Sequence, residues 1–256
     1  MFKMLQSTDS EKEIQPVCVS VQFHVVSTFT LINNFHVLTC TRSKMPIDLY
    51  YLNLSPYCRS VLLTARAVGV ELNLKTVNLL AKEQLKPEFV AINPQHSVPT
   101  LVDGDLVLWE SRPICTYLIS QYGKDDSLYP KEPKARAKVD ALLHFDIGTL
   151  AARWTLWAPG MTFHSIVDKF HEALGWLNGF LSHKKYAAET DHITVADLVL
   201  VANVSSYEAA GFIIKDFPNI SAWLQRCKQN IDGYEELNGE SVKKFGEYIK
   251  SMITEK

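Results

Sequence analysis

From Ile47 to Tyr122 the hydrophobic period switches repeatedly between two and 3.6, and the order of the switches leaves few architectures open. Ile47–Leu52 reads as a short strand. Pro56–Val68 carries Val61, Leu62, Ala65 and Val68 on one face and stops at Gly69, which predicts a helix. Glu71–Val77 alternates, with Leu72, Leu74 and Thr76 on one face, and predicts a second strand. A polar, lysine-rich stretch comes next, with a short helix around Pro87–Ile92. Pro99–Val102 and Leu106–Trp109 are strands joined by Asp103-Gly104, a strong hairpin signal. Ser111–Tyr122 is a helix with a serine at its start and Gly123 after its end. A strand–helix–strand unit therefore precedes an antiparallel hairpin and a closing helix.

Beyond Gly123 the strand signals stop. Residues 125–133 hold Asp125, Asp126, Pro130 and Pro133 and read as a linker. Val139, Leu142, Leu143, Ile147, Leu150 and Trp154 then recur at helical spacing, as do Ile166, Phe170, Leu174 and Leu177. Thr194-Val195-Ala196-Asp197 is a capping box in its aspartate form. Pro218 opens a further helix and Val242–Ile253 closes the chain. The expected fold is an α/β thioredoxin-like domain at 45–124 joined to an all-α helical bundle of about five helices at 134–256.

Residues 1–44 differ from all of this. Residues 16–41 carry no charge, and Val17, Val19, Val21, Phe23 and Val25 alternate with smaller or polar residues in a strand-like pattern. The uncharged length would suit a span of about 20 residues, but Gln22, His24, Asn33, Asn34 and His36 interrupt it. The expectation is an extension outside the fold, with Met45 as a natural start for the folded part. A membrane or organelle address is the alternative.

Twenty-six basic against 28 acidic residues give no encouragement to a nucleic-acid partner. The five cysteines are widely spaced without a CxxC, and the eight histidines form no HExxH. The chain reads as reduced and cytoplasmic, with no metal site and no membrane partner.

Four motifs carry a resemblance. Leu54-Ser55-Pro56-Tyr57-Cys58-Arg59 comes after the first strand. Asn93-Pro94-Gln95-His96-Ser97-Val98-Pro99-Thr100-Leu101 precedes the hairpin. Trp109-Glu110-Ser111-Arg112 enters the third helix, and Ile193-Thr194-Val195-Ala196-Asp197-Leu198 opens a helix of the bundle. In this order and spacing the chain resembles the cytosolic glutathione transferases, most of all the insect delta class, with epsilon the nearest neighbour.

The resemblance implies glutathione as co-substrate and Ser55 as the catalytic residue. A free thiol with a pKa of about 8.5 is a minority thiolate at neutral pH. A hydroxyl donating to the sulfur, together with a helix N-terminus, favours the anion. Ser55 is equally a good helix cap. Tyr50 and Tyr51 are the rival hydroxyls, and read better as strand residues. Ser55-Pro56-Tyr57-Cys58 also resembles the CPYC of glutaredoxins with its nucleophile replaced by serine, which makes thiol reductase or peroxidase activity an alternative function. A non-enzymatic carrier of hydrophobic ligands is the other.

By the same resemblance, Val98 and a cis Pro99 would present backbone to the cysteinyl part of glutathione. His96 would meet the glycyl carboxylate. Gln84, standing where delta enzymes commonly have histidine, would assist without charge. Glu110 and Ser111 would take the γ-glutamyl amine and carboxylate, and Arg112 would reach a carboxylate of the ligand or of a second subunit. A hydrophobic electrophile would lie among Pro56, Tyr57, Ala151, Trp154, Trp157, Met161, Tyr207 and Phe212. The expected assembly is a homodimer, with Arg112, Arg136 and Asp140 supplying charge at its interface.

Overall fold

The structure is a computed structural model that describes residues 46–155, 163–211 and 214–254. The extension expected at residues 1–44 lies outside the described residues, as do Trp157, Met161 and Phe212; of Trp154 only the backbone is described.

Strand β1 (Ile47–Tyr51) buries Ile47 and Leu49, the alternate positions that its sequence pattern marks. It pairs in parallel with β2 (Leu72–Thr76) and antiparallel with β3 (Thr100–Asp103), which pairs antiparallel with β4 (Leu106–Trp109). The sheet order is β2-β1-β3-β4. Helix α1 (Pro56–Val68) connects β1 to β2 and ends on Gly69, whose φ of 70° is the left-handed conformation a residue without Cβ adopts freely. Helix α2 (Pro87–Val90) is a single turn, and α3 (Ser111–Tyr122) comes after the hairpin. The expected order of elements and the hairpin at Asp103-Gly104 are both present.

Helix α4 (Pro133–Phe145) starts on Glu132, whose carboxylate accepts from the N–H groups of Lys134 and Ala135. It runs through a π-helical stretch, Asp146–Ala151, into α5 (Ala152–Thr155). The wider π turn shifts the register of the inward face. Ile147, expected inside from its spacing, is 38% exposed, whereas Asp146 beside it is completely buried. The remaining helices of the described bundle are α6 (Phe163–Phe180), α7 (Val195–Ala209), α8 (Pro218–Asn230) and α9 (Glu240–Thr254).

Helix α7 is the centre of the molecule, and every residue from Val195 to Tyr207 is buried. An apolar helix of this kind needs neighbours on all sides, and α1, α4, α8 and α9 all pack against it. Its start is fixed by the Thr194–Asp197 capping box. Asp197 accepts from Thr194 N–H at 2.8 Å, and also from Ala187 N–H and the Trp223 indole N–H, each at 2.8 Å. Helix α1 lies between α3 and α7, so the helix that Ser55 begins is held by both halves of the chain.

Candidate active site

Strand register brings the four motif segments to one end of the sheet. Tyr50 of β1 pairs with Thr100, and Thr100 pairs with Trp109; Tyr51 pairs with Thr76 of β2. The chain leaving β1 toward Ser55, the Val98-Pro99 segment entering β3, the Glu110-Ser111 segment leaving β4 and the loop after β2 that carries Gln84 all start from that end. Ligands of open α/β sheets bind at such an end.

Ser55 stands at the N-cap of α1, half-buried, with extended backbone. Its side chain does not cap the helix. The reason is local: Pro56 has no N–H, and the N–H groups of Cys58 and Arg59 both reach the Ser55 carbonyl at 3.1 Å. The hydroxyl meets the Cys58 thiol instead. Cys58 Sγ also accepts from Leu52 N–H at 3.4 Å. Burial pushes this thiol up to about 11, against the pull of the Leu52 N–H and the Ser55 hydroxyl. Tyr50 sets its ring edge-on against Phe89 at 5.6 Å, and Tyr51 packs on the core. The two tyrosines are therefore strand residues.

The Val98-Pro99 bond is cis. The loop before it is pinned by the fully buried Asn93. Its amide donates to Thr100 Oγ1 at 2.9 Å and to the Ser97 carbonyl at 3.2 Å, while its Oδ1 accepts from Gln95 N–H at 2.9 Å. Among the described residues nothing pairs with the Val98 backbone, and His96 is exposed at a φ of 43°. Gln84 is half-buried, and its side-chain carbonyl oxygen has no partner.

Glu110 is exposed with φ 70° and ψ 115°, a strained backbone for a residue with a Cβ. That strain turns its side chain outward beside the N-terminus of α3. Ser111 is buried, and its hydroxyl accepts from Arg112 Nη1 at 2.9 Å.

Arg112 corrects the sequence expectation. Its guanidinium is buried and ion-paired with Asp146 of the same chain, and it lies 4.8 Å from the centre of the Tyr57 ring. Asn203 of α7 donates its amide to both Asp146 oxygens at 3.1 Å. Burial pushes the Asp146 carboxyl above the ordinary aspartate value, and Arg112 and Asn203 pull it back. Arg112 thus ties the start of α3 to α1 and to the bundle, and presents no free charge to a ligand or a second subunit. Arg136 and Asp140 are likewise engaged within the chain. Arg136 donates to the Pro130 carbonyl at 2.7 Å and stacks on Tyr129, whose hydroxyl donates to Asp140.

The electrophile side is corrected in part. Pro56 and Tyr57 are half-buried at the start of α1. Ala151 and Tyr207 are only 1% and 2% exposed, with the Tyr207 ring edge-on to Phe170 at 4.9 Å, so neither presents surface to a ligand in this structure. Both belong to the layer where the all-buried α7 meets its neighbours. Asp146, Asn203 and Asn93 are the site residues that sequence reasoning missed. Asp146 did leave a signal: it is a charged residue one turn after Leu142 and one turn before Leu150, on the apolar stripe.

Known proteins share this arrangement. A family model described as the glutathione S-transferase N-terminal domain matches residues 49–127, and one described as the C-terminal domain matches residues 166–230. "Glutathione S-transferase D7" of Anopheles gambiae is 46% identical over 213 residues, which cover 80% of this chain and 97% of that relative. The chain belongs to the glutathione S-transferase family. Among solved structures, a delta-class glutathione transferase of Nilaparvata lugens aligns with a TM-score of 0.77 at 46% identity, covering 81% of this chain and all of the other. An epsilon-class glutathione S-transferase of the housefly, Musca domestica, aligns with a TM-score of 0.74 at 38% identity, covering 80% and 97%. A glutathione transferase homologue of Drosophila mojavensis, solved with bound glutathione, aligns at 0.73 and 34%, with the same coverage. Among the described residues of this glutathione S-transferase no helix is long and apolar enough to cross a membrane, and no cluster of side chains is arranged to hold a metal ion.

Proposed function

We propose that this glutathione S-transferase binds glutathione at the motif-bearing end of the sheet and conjugates its sulfur to hydrophobic electrophiles, with Ser55 as the catalytic residue. The observation that carries the reading is the Ser55 hydroxyl. It sits at the N-terminus of a 13-residue helix and is released from helix capping. A donor there stabilises a thiolate over a thiol, and the helix dipole adds to it.

The tripeptide would lie along the loop of residues 93–99. The unpaired Val98 backbone offers a one-residue strand addition to the cysteinyl part. His96 and the Gln84 amide face the glycyl carboxylate. At the other end, the exposed Glu110 carboxylate takes the γ-glutamyl amine. The Ser111 hydroxyl, which keeps its own O–H to donate, takes the carboxylate with the N-terminus of α3. Arg112 acts through Ser111, Tyr57 and Asp146, as a brace. The electrophile would approach over Pro56 and Tyr57. A thiol reductase reading is disfavoured because Cys58 is fully buried and its thiol is pushed away from ionisation. A homodimer in the cytoplasm completes the proposal, by likeness to the family.

The test is retention on immobilised glutathione together with turnover of a generic aryl halide. Ser55→Ala should keep retention and lose about ten- to a hundred-fold in kcat, the loss expected for one hydrogen bond to a charged group. Retention of the unaltered protein without turnover would overturn the enzyme reading and leave a carrier. Turnover of the alanine variant at the original rate would remove Ser55 from the chemistry.

A further inference from the structure

Ser55 keeps its hydroxyl out of the helix cap although serine is a preferred capping residue. Something must hold the alternative rotamer. The backbone around it is closed: Ser55 N–H donates to the Leu52 carbonyl at 2.9 Å, and Cys58 N–H donates to the Ser55 carbonyl at 3.1 Å. That tight turn places the Cys58 side chain under the Ser55 side chain. Cys58 is fully buried, and the polar groups on its sulfur are the Leu52 N–H, at 3.4 Å, and the Ser55 hydroxyl. A sulfur that accepts from a backbone N–H still has one S–H to give.

We propose that Cys58 is a positioning residue for Ser55. Held by the Leu52 N–H, its thiol donates to the Ser55 oxygen and so turns the Ser55 O–H away from the helix, toward the sulfur of bound glutathione. The inference rests on the reading of Ser55 as the catalytic hydroxyl. The chain of donors runs Leu52 N–H to Cys58 Sγ, Cys58 S–H to Ser55 Oγ, and Ser55 O–H to the glutathione sulfur. Each bond polarises the next, in surroundings with little water to compete. Burial keeps Cys58 a thiol, so the donor persists throughout the neutral range. The same residue that would be the resolving cysteine of a redox motif becomes a fixed hydrogen-bond donor once serine replaces the nucleophile.

The experiment is the pH–rate profile of the full chain with glutathione and an aryl halide, for Cys58→Ala, Cys58→Ser and Ser55→Ala. Cys58→Ala should move the ascending limb to higher pH and lower kcat at neutral pH by about two- to tenfold, with the KM for glutathione unchanged. Cys58→Ser, which restores an O–H donor at the same place, should recover most of that loss. A limb that stays put in Cys58→Ala overturns the inference, whatever happens to thermal stability. If Ser55→Ala moves the limb and Cys58→Ala does not, the inference alone fails. If Ser55→Ala leaves the limb in place, the reading beneath it fails as well.

Discussion

Arg112 and Arg59 both leave water in this fold, and they meet different surroundings. Arg112 enters the interior beside Asp146, Ser111 and the Tyr57 ring, and Asn203 completes the carboxylate. Arg59, one turn after Ser55 on α1, is completely buried. Among the described residues it meets no carboxylate: one nitrogen donates to Ser206 Oγ, the Phe245 ring lies 6.0 Å away, and Nε and Nη1 have no partner. Burial accordingly lowers the Arg59 guanidinium to about 10. A buried charge costs several kcal/mol unless an opposite charge and hydrogen bonds repay it. The pair at Arg112 repays it, and the lone guanidinium at Arg59 does so only in part. The two sites show that a buried arginine in this chain is not by itself a stabilising feature. Its worth depends on the acid that the neighbouring element delivers.

The largest effect should come from breaking the matched pair. Arg112→Met leaves Asp146 buried with only Asn203 beside it. It should cost about 3–5 kcal/mol by urea denaturation. A loss near zero would mean that Asp146 is already protonated in the native state and that the pair is not ionic. Arg59→Met should behave in the opposite sense and by less. The swap removes an underpaired charge at similar volume, and Ser206 keeps its bond to the Ala202 carbonyl at 2.6 Å. Stability should hold or rise by about 1–2 kcal/mol, the lower part of the range for such replacements. A loss as large as that of Arg112→Met would show that Arg59 has an ionic partner and would erase the contrast.

The first half of the fold is legible in the sequence because its signals are local. Gly69, Asp103-Gly104 and Gly123 punctuate short elements whose periods differ, and the motifs sit in the turns between them. The site segments there, from Ser55 to Ser111, can be placed from the sequence alone. The bundle is legible as helices but not as a site. A helical wheel assumes 3.6 residues per turn throughout, and the π stretch at Asp146–Ala151 breaks that assumption where α4 faces the site. Hence the wheel puts Ile147 in the core and passes over Asp146. Arg112, which can only be understood through Asp146, then reads as surface charge. Ala151 and Tyr207 read as pocket residues because aromatic and small residues at helical spacing do not reveal which side of an all-buried helix is open.

The chemistry turns on what the Ser55 hydroxyl does to the glutathione sulfur, and the most direct measurement is the titration of that thiol in the binary complex, monitored by the ultraviolet absorbance of the thiolate. The bound thiol should ionise below the free value of about 8.5, and Ser55→Ala should raise its pKa by about 1–2 units, the equivalent of one hydrogen bond to a charged group. A bound thiol that titrates at the same pH with serine or alanine at position 55 would contradict this role for Ser55, even if the alanine variant were slow.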